Sequence, residues 1–213
     1  MMQHDYSLIF KKLHNHYGPQ NWWPADSPFE MMIGAILVQN TNWRNAAKAL
    51  HNLGNRLEPE IIFQMPEAEL AELIRSSGFY KMKAKRIKAF MQWFEICHFS
   101  VENIKKRDKD ALRNELLQIH GIGRETADVM LIYAFEKPVF VVDAYARRIF
   151  YRLGYDMPAA YDAFRLQVES QLPNDVQMYN EFHALLDEHA KSICRKKPLC
   201  SKCPLIDVCA QRY

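Results

Sequence analysis

GIGRETADVM, residues 121–130, sets two glycines one residue apart ahead of small and apolar residues at helical spacing. The glycines break the chain and the run behind them resumes it as a helix. A glycine turn that opens a helix leaves backbone N–H groups at the positive end of the helix dipole, which suits a phosphate. Glu125 stands just past that turn, a carboxylate where a polyanion would approach. An acid in such a place needs a reason.

Outward from the turn, helical spacing dominates. Apolar residues recur from Phe29 to Leu50, over a length too great for a strand, with Asn40, Thr41 and Asn42 interrupting midway. The same spacing predicts helices over Ile61–Ser76, Ala84–Ile96, Leu112–Ile119, Thr126–Phe135, Asp143–Leu153, Tyr161–Leu172 and Met178–Ile193. The one strand-like run, Pro138-Val-Phe-Val-Val142, has no partner, so it reads as a buried extended connector. No repeat or low-complexity tract is present. An all-α fold is expected.

At 213 residues and 49% apolar content, the chain can bury one large core or two small ones. Its longest apolar runs, such as Met31–Val38, fall far short of a bilayer span, so no membrane partner is expected. The N-terminal MMQHDYSLIF lacks the pattern of a signal peptide, which makes a cytoplasmic location the expectation. A net charge of +3 permits a nucleic-acid partner without demanding one. Two basic clusters stand out: Lys81, Lys83, Lys85, Arg86 and Lys88, and then Arg195, Lys196 and Lys197. Charge runs of this kind read first as solvated faces.

Near the C-terminus, CRKKPLCSKCPLIDVC places Cys194, Cys200, Cys203 and Cys209 in the spacing C-x5-C-x2-C-x5-C. Four thiolates so close in sequence can wrap one tetrahedral ion or an iron–sulfur cluster. Disulfides are the poorer explanation in a cytosolic chain. Zinc ribbons usually pair two C-x2-C knuckles and only one is present, so the spacing favours a cluster and leaves zinc open. Cys97 reads as plain core.

Together, the hairpin from Leu116 to Ala127, the apolar connector ending at Asp143 in VFVVDAYARR and the four-cysteine loop resemble the endonuclease III superfamily of helix-hairpin-helix DNA glycosylases. The likeness runs over residues 20 to 209 in the family's order. The family's first cysteine gap is commonly six residues, against five here. The resemblance implies two lobes: a helical barrel over 28–135 ending in the hairpin, and a cluster-bearing lobe of 1–27 plus 136–213. It also implies a cleft where Asp143 and Glu125 meet, damaged duplex DNA as partner, a monomer and a 4Fe-4S cluster, with zinc as the alternative. Gly121, Gly123 and Arg124 would hold a phosphate, and the cluster loop would present Arg195, Lys196 and Lys197 to others. Asp143 would stabilise an oxocarbenium-like transition state and orient water. As a residue by itself, Asp143 also reads as the N-cap of the helix behind it.

Bifunctional members of that superfamily carry a lysine at the position of Glu125, and a carboxylate cannot form an imine. The resemblance therefore implies a monofunctional glycosylase. NWWPADSPFEMMIGAILVQNTNW and SGFYKMKAKR, beside GRETAD, narrow it to the bacterial 3-methyladenine DNA glycosylases of the endonuclease III type. In that subgroup Trp22, Trp23 and Pro24 would wall the base pocket, Trp43 would stack on the extruded base, and Gln39 would fill the gap left in the duplex. Lys191 would face the same pocket or a phosphate. A methylated purine is cationic, so indole faces and a carboxylate would favour it over a neutral base. Two other readings stay open: a lyase-competent relative acting on oxidised pyrimidines, and a non-catalytic DNA-binding sensor. Core packing for the tryptophans and a dipole-complementing acid at Glu125 stay open as well.

Overall fold

A computed structural model describes residues 5–22 and 25–212. Among these residues every regular element is helical, and no helix is long and apolar enough to cross a membrane. The chain divides into two compact units, Trp23–Lys137 and Met1–Trp22 with Pro138–Tyr213.

The unit of 23–137 is built around α2 (Pro28–Leu37), in which only Pro28 and Glu30 are not buried. A helix apolar on all sides belongs inside. Ser27 caps it by accepting the Glu30 amide at 3.1 Å, with Pro28 in the first turn, where its missing N–H costs nothing. The interruption at residues 38–42 is a true break: Asn40 adopts φ +55°, and Asn42 caps a new helix, α3 (Trp43–Leu53). The helix predicted over 61–76 is also divided, into α4 (Pro59–Gln64) and α5 (Glu67–Leu73). Pro66 lacks an amide hydrogen and forces Met65 out of the helical region, to ψ 131°. Next come α6 (Tyr80–Ile96), α7 (Val101–Lys105), α8 (Lys109–Gln118) and α9 (Arg124–Tyr133). The last two are clamped by a buried fork, Arg113 Nε to Asp128 Oδ1 at 2.6 Å and Nη2 to Oδ2 at 3.2 Å.

The basic run on α6 departs from a solvated face. Lys83 is 1% exposed and donates to Leu37 O at 2.8 Å and Ser77 O at 2.6 Å. Lys88 donates to the carbonyls of Ile62, Phe63 and Met65, the orphan acceptors at the end of α4. Lys81 and Lys85 remain exposed.

The other unit contains α1 (Tyr6–Tyr17), α10 (Ala144–Leu153), α11 (Tyr161–Glu169) and α12 (Val176–Ser192). Helix α1 was not evident in the sequence because it buries only Tyr6, Ile9 and Leu13. Tyr6, Phe150, Tyr155, Phe164 and Phe182 form its aromatic core. The connector behaves as expected: Val139–Val142 are buried without a ladder, and the amides of Phe140 and Val142 go to Glu169 Oε1 and the Tyr161 hydroxyl.

Candidate active site

In the 23–137 unit, α8 and α9 are joined by the glycine turn. Gly121 has φ +86°, and a Cβ there would stand 2.2 Å from Arg86 Cγ, so both conformation and space require glycine. Gly123 is different: its φ is −90° and an added Cβ would meet nothing within 4 Å. It opens α9 with no side chain capping the helix, which leaves the first turn accessible to a ligand from outside. Arg124 and Glu125 are exposed on that turn.

Gln39 holds the turn in place. Its Nε2 donates to Gly121 O at 3.0 Å and to Thr126 Oγ1 at 2.9 Å, while its Oε1 accepts from Arg86. Both ends of the amide are thus engaged at the hairpin, and filling a gap in a duplex would require exchanging those bonds. Trp43 starts α3 half-buried, and a Cβ on Gly34 would come within 3.3 Å of its ring.

Phe79 lies in the SGFYKMKAKR stretch, where the resemblance assigns it no role, and its placement is unusual. It precedes α6 at φ +47°, ψ 31°, and the residue is 65% exposed. A left-handed conformation costs a non-glycine residue about 1–2 kcal/mol.

In the unit of 1–22 and 138–213, Asp143 caps α10 through Oδ1, which accepts the Ala146 amide at 2.7 Å. Its second oxygen lies 3.8 Å from His183 Nε2, and its side chain is 16% exposed. Capping therefore occupies one oxygen, and the other faces the His183 ring. Trp22 approaches the same histidine, ring centroids 5.6 Å apart. Sequence reading overlooked His183 because neither of the two histidines of α12 belongs to a motif. Trp23 and Pro24 lie outside the described residues. Lys191 is exposed and paired with Asp187 at 2.6 Å, one turn away.

The four cysteines line one small cavity, together with Arg152, Ile193, Pro198 and Ile206. None is in a disulfide. Among the described residues no three His, Cys, Asp or Glu side chains converge to hold a single metal ion. The loop is fastened to α10. Arg152 donates to Cys194 Sγ at 3.5 Å, Arg195 O at 2.6 Å and Lys196 O at 3.3 Å, and Arg148 donates to Cys194 O at 3.1 Å. Those bonds hold the backbone of residues 194–196 and leave the side chains of Arg195, Lys196 and Lys197 exposed. At the far end of α10, Gly154 (φ +94°) admits Ala210 where a Cβ would lie 2.7 Å away. Lys12 pairs with Asp207 at 2.7 Å, tying the loop to α1. Behind the cavity His189 is 1% exposed, and burial, with the charge of His16, pushes its pKa down to about 4.

A family model described as "HhH-GPD superfamily base excision DNA repair protein" matches residues 33–173. The chain is 47% identical over 193 residues to the "Putative DNA repair glycosylase MJ1434" of Methanocaldococcus jannaschii, with 88% of each chain covered. It is 34% identical over 179 residues to endonuclease III of Thermotoga maritima, covering 83% of this chain and 79% of that one. Among solved structures it resembles the H. pylori 3-methyladenine DNA glycosylase MagIII bound to 1,N6-ethenoadenine. The TM-score is 0.78 at 32% identity, covering 88% of this chain and 98% of that one.

Proposed function

The chain belongs to the HhH-GPD superfamily of base excision DNA repair proteins and is a DNA glycosylase of that type, and we propose that it is monofunctional and releases alkylated, cationic purines. The observation that carries this reading is Glu125, exposed on the first turn of α9 behind an uncapped glycine turn. A carboxylate there cannot form an imine with C1′, so water is the nucleophile and an intact abasic site is the product. The same negative charge favours a base that is itself positive. The solved relative from H. pylori is named for 3-methyladenine, and its identity to this chain supports the alkylpurine reading.

The chemistry follows from the groups present. Base excision requires a nucleotide rotated out of the duplex. The amides of the Gly121–Gly123 turn, with Arg124, bind a phosphate and position the backbone without reading sequence. Arg195, Lys196 and Lys197 add further phosphate contacts. Gln39 fills the vacated space by exchanging its bonds to Gly121 O, Thr126 and Arg86, and Phe79, an exposed apolar side chain, wedges into the base stack. The indoles of Trp22 and Trp43, with Trp23 and Pro24, receive the base, and a positive charge on the purine strengthens its stacking on them. Lys191 reaches a phosphate when its pairing with Asp187 opens. The second oxygen of Asp143, beside His183, stabilises positive charge developing on the sugar and holds the attacking water. A methylated purine leaves as a neutral base, so little acid assistance is needed.

We further propose that Cys194, Cys200, Cys203 and Cys209 hold a 4Fe-4S cluster, which fixes the shape of the loop. Zinc would draw its sulfurs to about 2.3 Å from one point. Four thiols lining one cavity, in a spacing with one C-x2-C pair, support the polynuclear reading. Iron and sulfide analysis of the purified protein separates the two.

The test of the main reading is mass spectrometry of bases freed from methylated and from oxidised DNA, with strand integrity followed in parallel. Release of 3-methyladenine or 7-methylguanine with uncut strands is expected. The identity to the Thermotoga endonuclease III favours a second reading, a lyase on oxidised pyrimidines. Release of oxidised pyrimidines with strand scission and a borohydride-trapped adduct would establish that reading instead. Binding without release of any base would point to a sensor.

A further inference from the structure

Three residues from separate segments form a line behind the cysteine cavity. The Tyr17 hydroxyl, at the end of α1, lies 2.9 Å from His189 Nδ1 on α12. His189 Nε2 lies 3.7 Å from Cys203 Sγ, within reach of a hydrogen bond to sulfur. Tyr17 also lies 3.1 Å from Ser192 Oγ, whose own proton goes to Glu188 O at 2.8 Å. The imidazole is 1% exposed, so its bonds cannot be replaced by bulk water without opening the fold.

The protons can be counted. A metal-bound thiolate carries none, so any bond along the Nε2–Sγ line must be donated by Nε2. With Nε2 protonated in a neutral ring, Nδ1 is bare and accepts the Tyr17 O–H. In an imidazolium, Nδ1 donates to the Tyr17 oxygen and the phenol proton turns to Ser192 Oγ, which is an acceptor because its hydrogen is already placed. Both protonation states give the same donor to sulfur. The nearby sulfurs have donors of another kind: Cys194 takes Arg152 Nη1 at 3.5 Å and Cys209 takes the Gln211 amide at 3.4 Å. Of these three donors, the one to Cys203 is a buried side chain whose far nitrogen is itself held by a third residue.

We propose that Tyr17 and His189 form a hydrogen-bond relay onto the Cys203 sulfur that raises the reduction potential of the cluster and protects it from oxidation. This rests on the cluster reading above. A donor to a ligating sulfur withdraws electron density, which stabilises the more reduced state, and a partner behind the ligand's neighbour orients that donor. His189 and Tyr17 are positioning residues, acting through the Cys203 sulfur.

The experiment uses the full-length protein with its cluster, as wild type, His189→Leu and Tyr17→Phe. Iron and sulfide content, the potential by voltammetry and the lifetime of the visible absorbance under ferricyanide are measured on each. The relay requires a more negative potential and a severalfold shorter lifetime in His189→Leu, with a smaller change of the same sign in Tyr17→Phe. Tyr17→Phe removes one oxygen from a half-buried position and keeps the test alive if the leucine variant does not fold. Clusters present in all three proteins with unchanged potentials would overturn the relay and leave the cluster reading standing. A wild type purified without iron and sulfide would overturn the cluster reading itself.

Discussion

His183 Nε2 stands 3.8 Å from Asp143 Oδ2, while the other oxygen of the same carboxylate accepts the Ala146 amide at 2.7 Å. One carboxylate thus closes a helix with one oxygen and offers the other to a buried imidazole. The two tasks can be separated by substitution.

Asp143→Asn keeps a side-chain oxygen for the Ala146 amide and loses the charge. Base release should fall by about 10²–10³-fold, in line with the loss of one electrostatic stabiliser. The melting temperature should stay close to that of the wild type, and DNA affinity should persist. Asp143→Ala should lose the activity as well and cost about 1 kcal/mol of stability through the missing cap. Single-turnover excision and thermal denaturation on both variants check the pair of expectations.

Glu125 lies on an exposed first turn, so its own contribution to folding is of order 0.3–1 kcal/mol through the helix dipole. Glu125→Gln should therefore fold normally. If the charge selects cationic bases, excision of 7-methylguanine should drop more than excision of a neutral lesion such as ethenoadenine. An unchanged ratio would reduce the acid to a helix-end charge. Glu125→Lys places an amine at the same point, and borohydride trapping should then yield a protein–DNA adduct absent from the wild type.

Phe79 combines strain with exposure, which predicts opposite effects on stability and function. Phe79→Gly relieves the left-handed conformation and should stabilise the fold or leave it unchanged, whereas Phe79→Leu should preserve activity better by keeping an apolar wedge. Base extrusion, followed by 2-aminopurine fluorescence, should slow in the glycine variant. A glycine variant that extrudes bases at the wild-type rate would show the exposed ring to be incidental.

Burial and the neighbouring charge of Arg86 push the Lys83 pKa down from 10.5 to about 8. Between these values the unfolded chain holds a proton that the folded chain has released, so the Lys83 contribution to stability rises with pH from about 8 to 10.5. Below pH 8 both states are protonated and the penalty is constant. The neutral amine still has two hydrogens for the carbonyls of Leu37 and Ser77. Lys83→Met leaves both carbonyls unpaired, at about 1–3 kcal/mol each in a dry site. Denaturant titrations at pH 7, 8.5 and 10 on the two proteins should show the gap between them widening as pH rises.

Much of the molecule was legible because it is written locally. The hairpin needs two glycines at fixed positions, and Gly121 is required where its φ is positive and Arg86 passes beneath it. Helices follow from spacing, and the buried connector from a run of valines and a phenylalanine. Boundaries slipped where one residue overrode the pattern, as Pro66 did within the apolar run of 61–76. The cysteine loop was visible as spacing, but its fastening by Arg148 and Arg152 was not, since both belong to a helix that ends some forty residues earlier in the chain.

By itself the sequence determined the all-helical class and the family, because each rests on residues adjacent along the chain. Tertiary structure alone decided what individual side chains face. Lys83 reads as one more surface charge until the ends of two other segments supply its carbonyls. Asp143 reads as a cap until α12 brings His183 to its second oxygen. Charge, capping power and helical period belong to the residue, whereas burial and the partner across a contact belong to the folded chain.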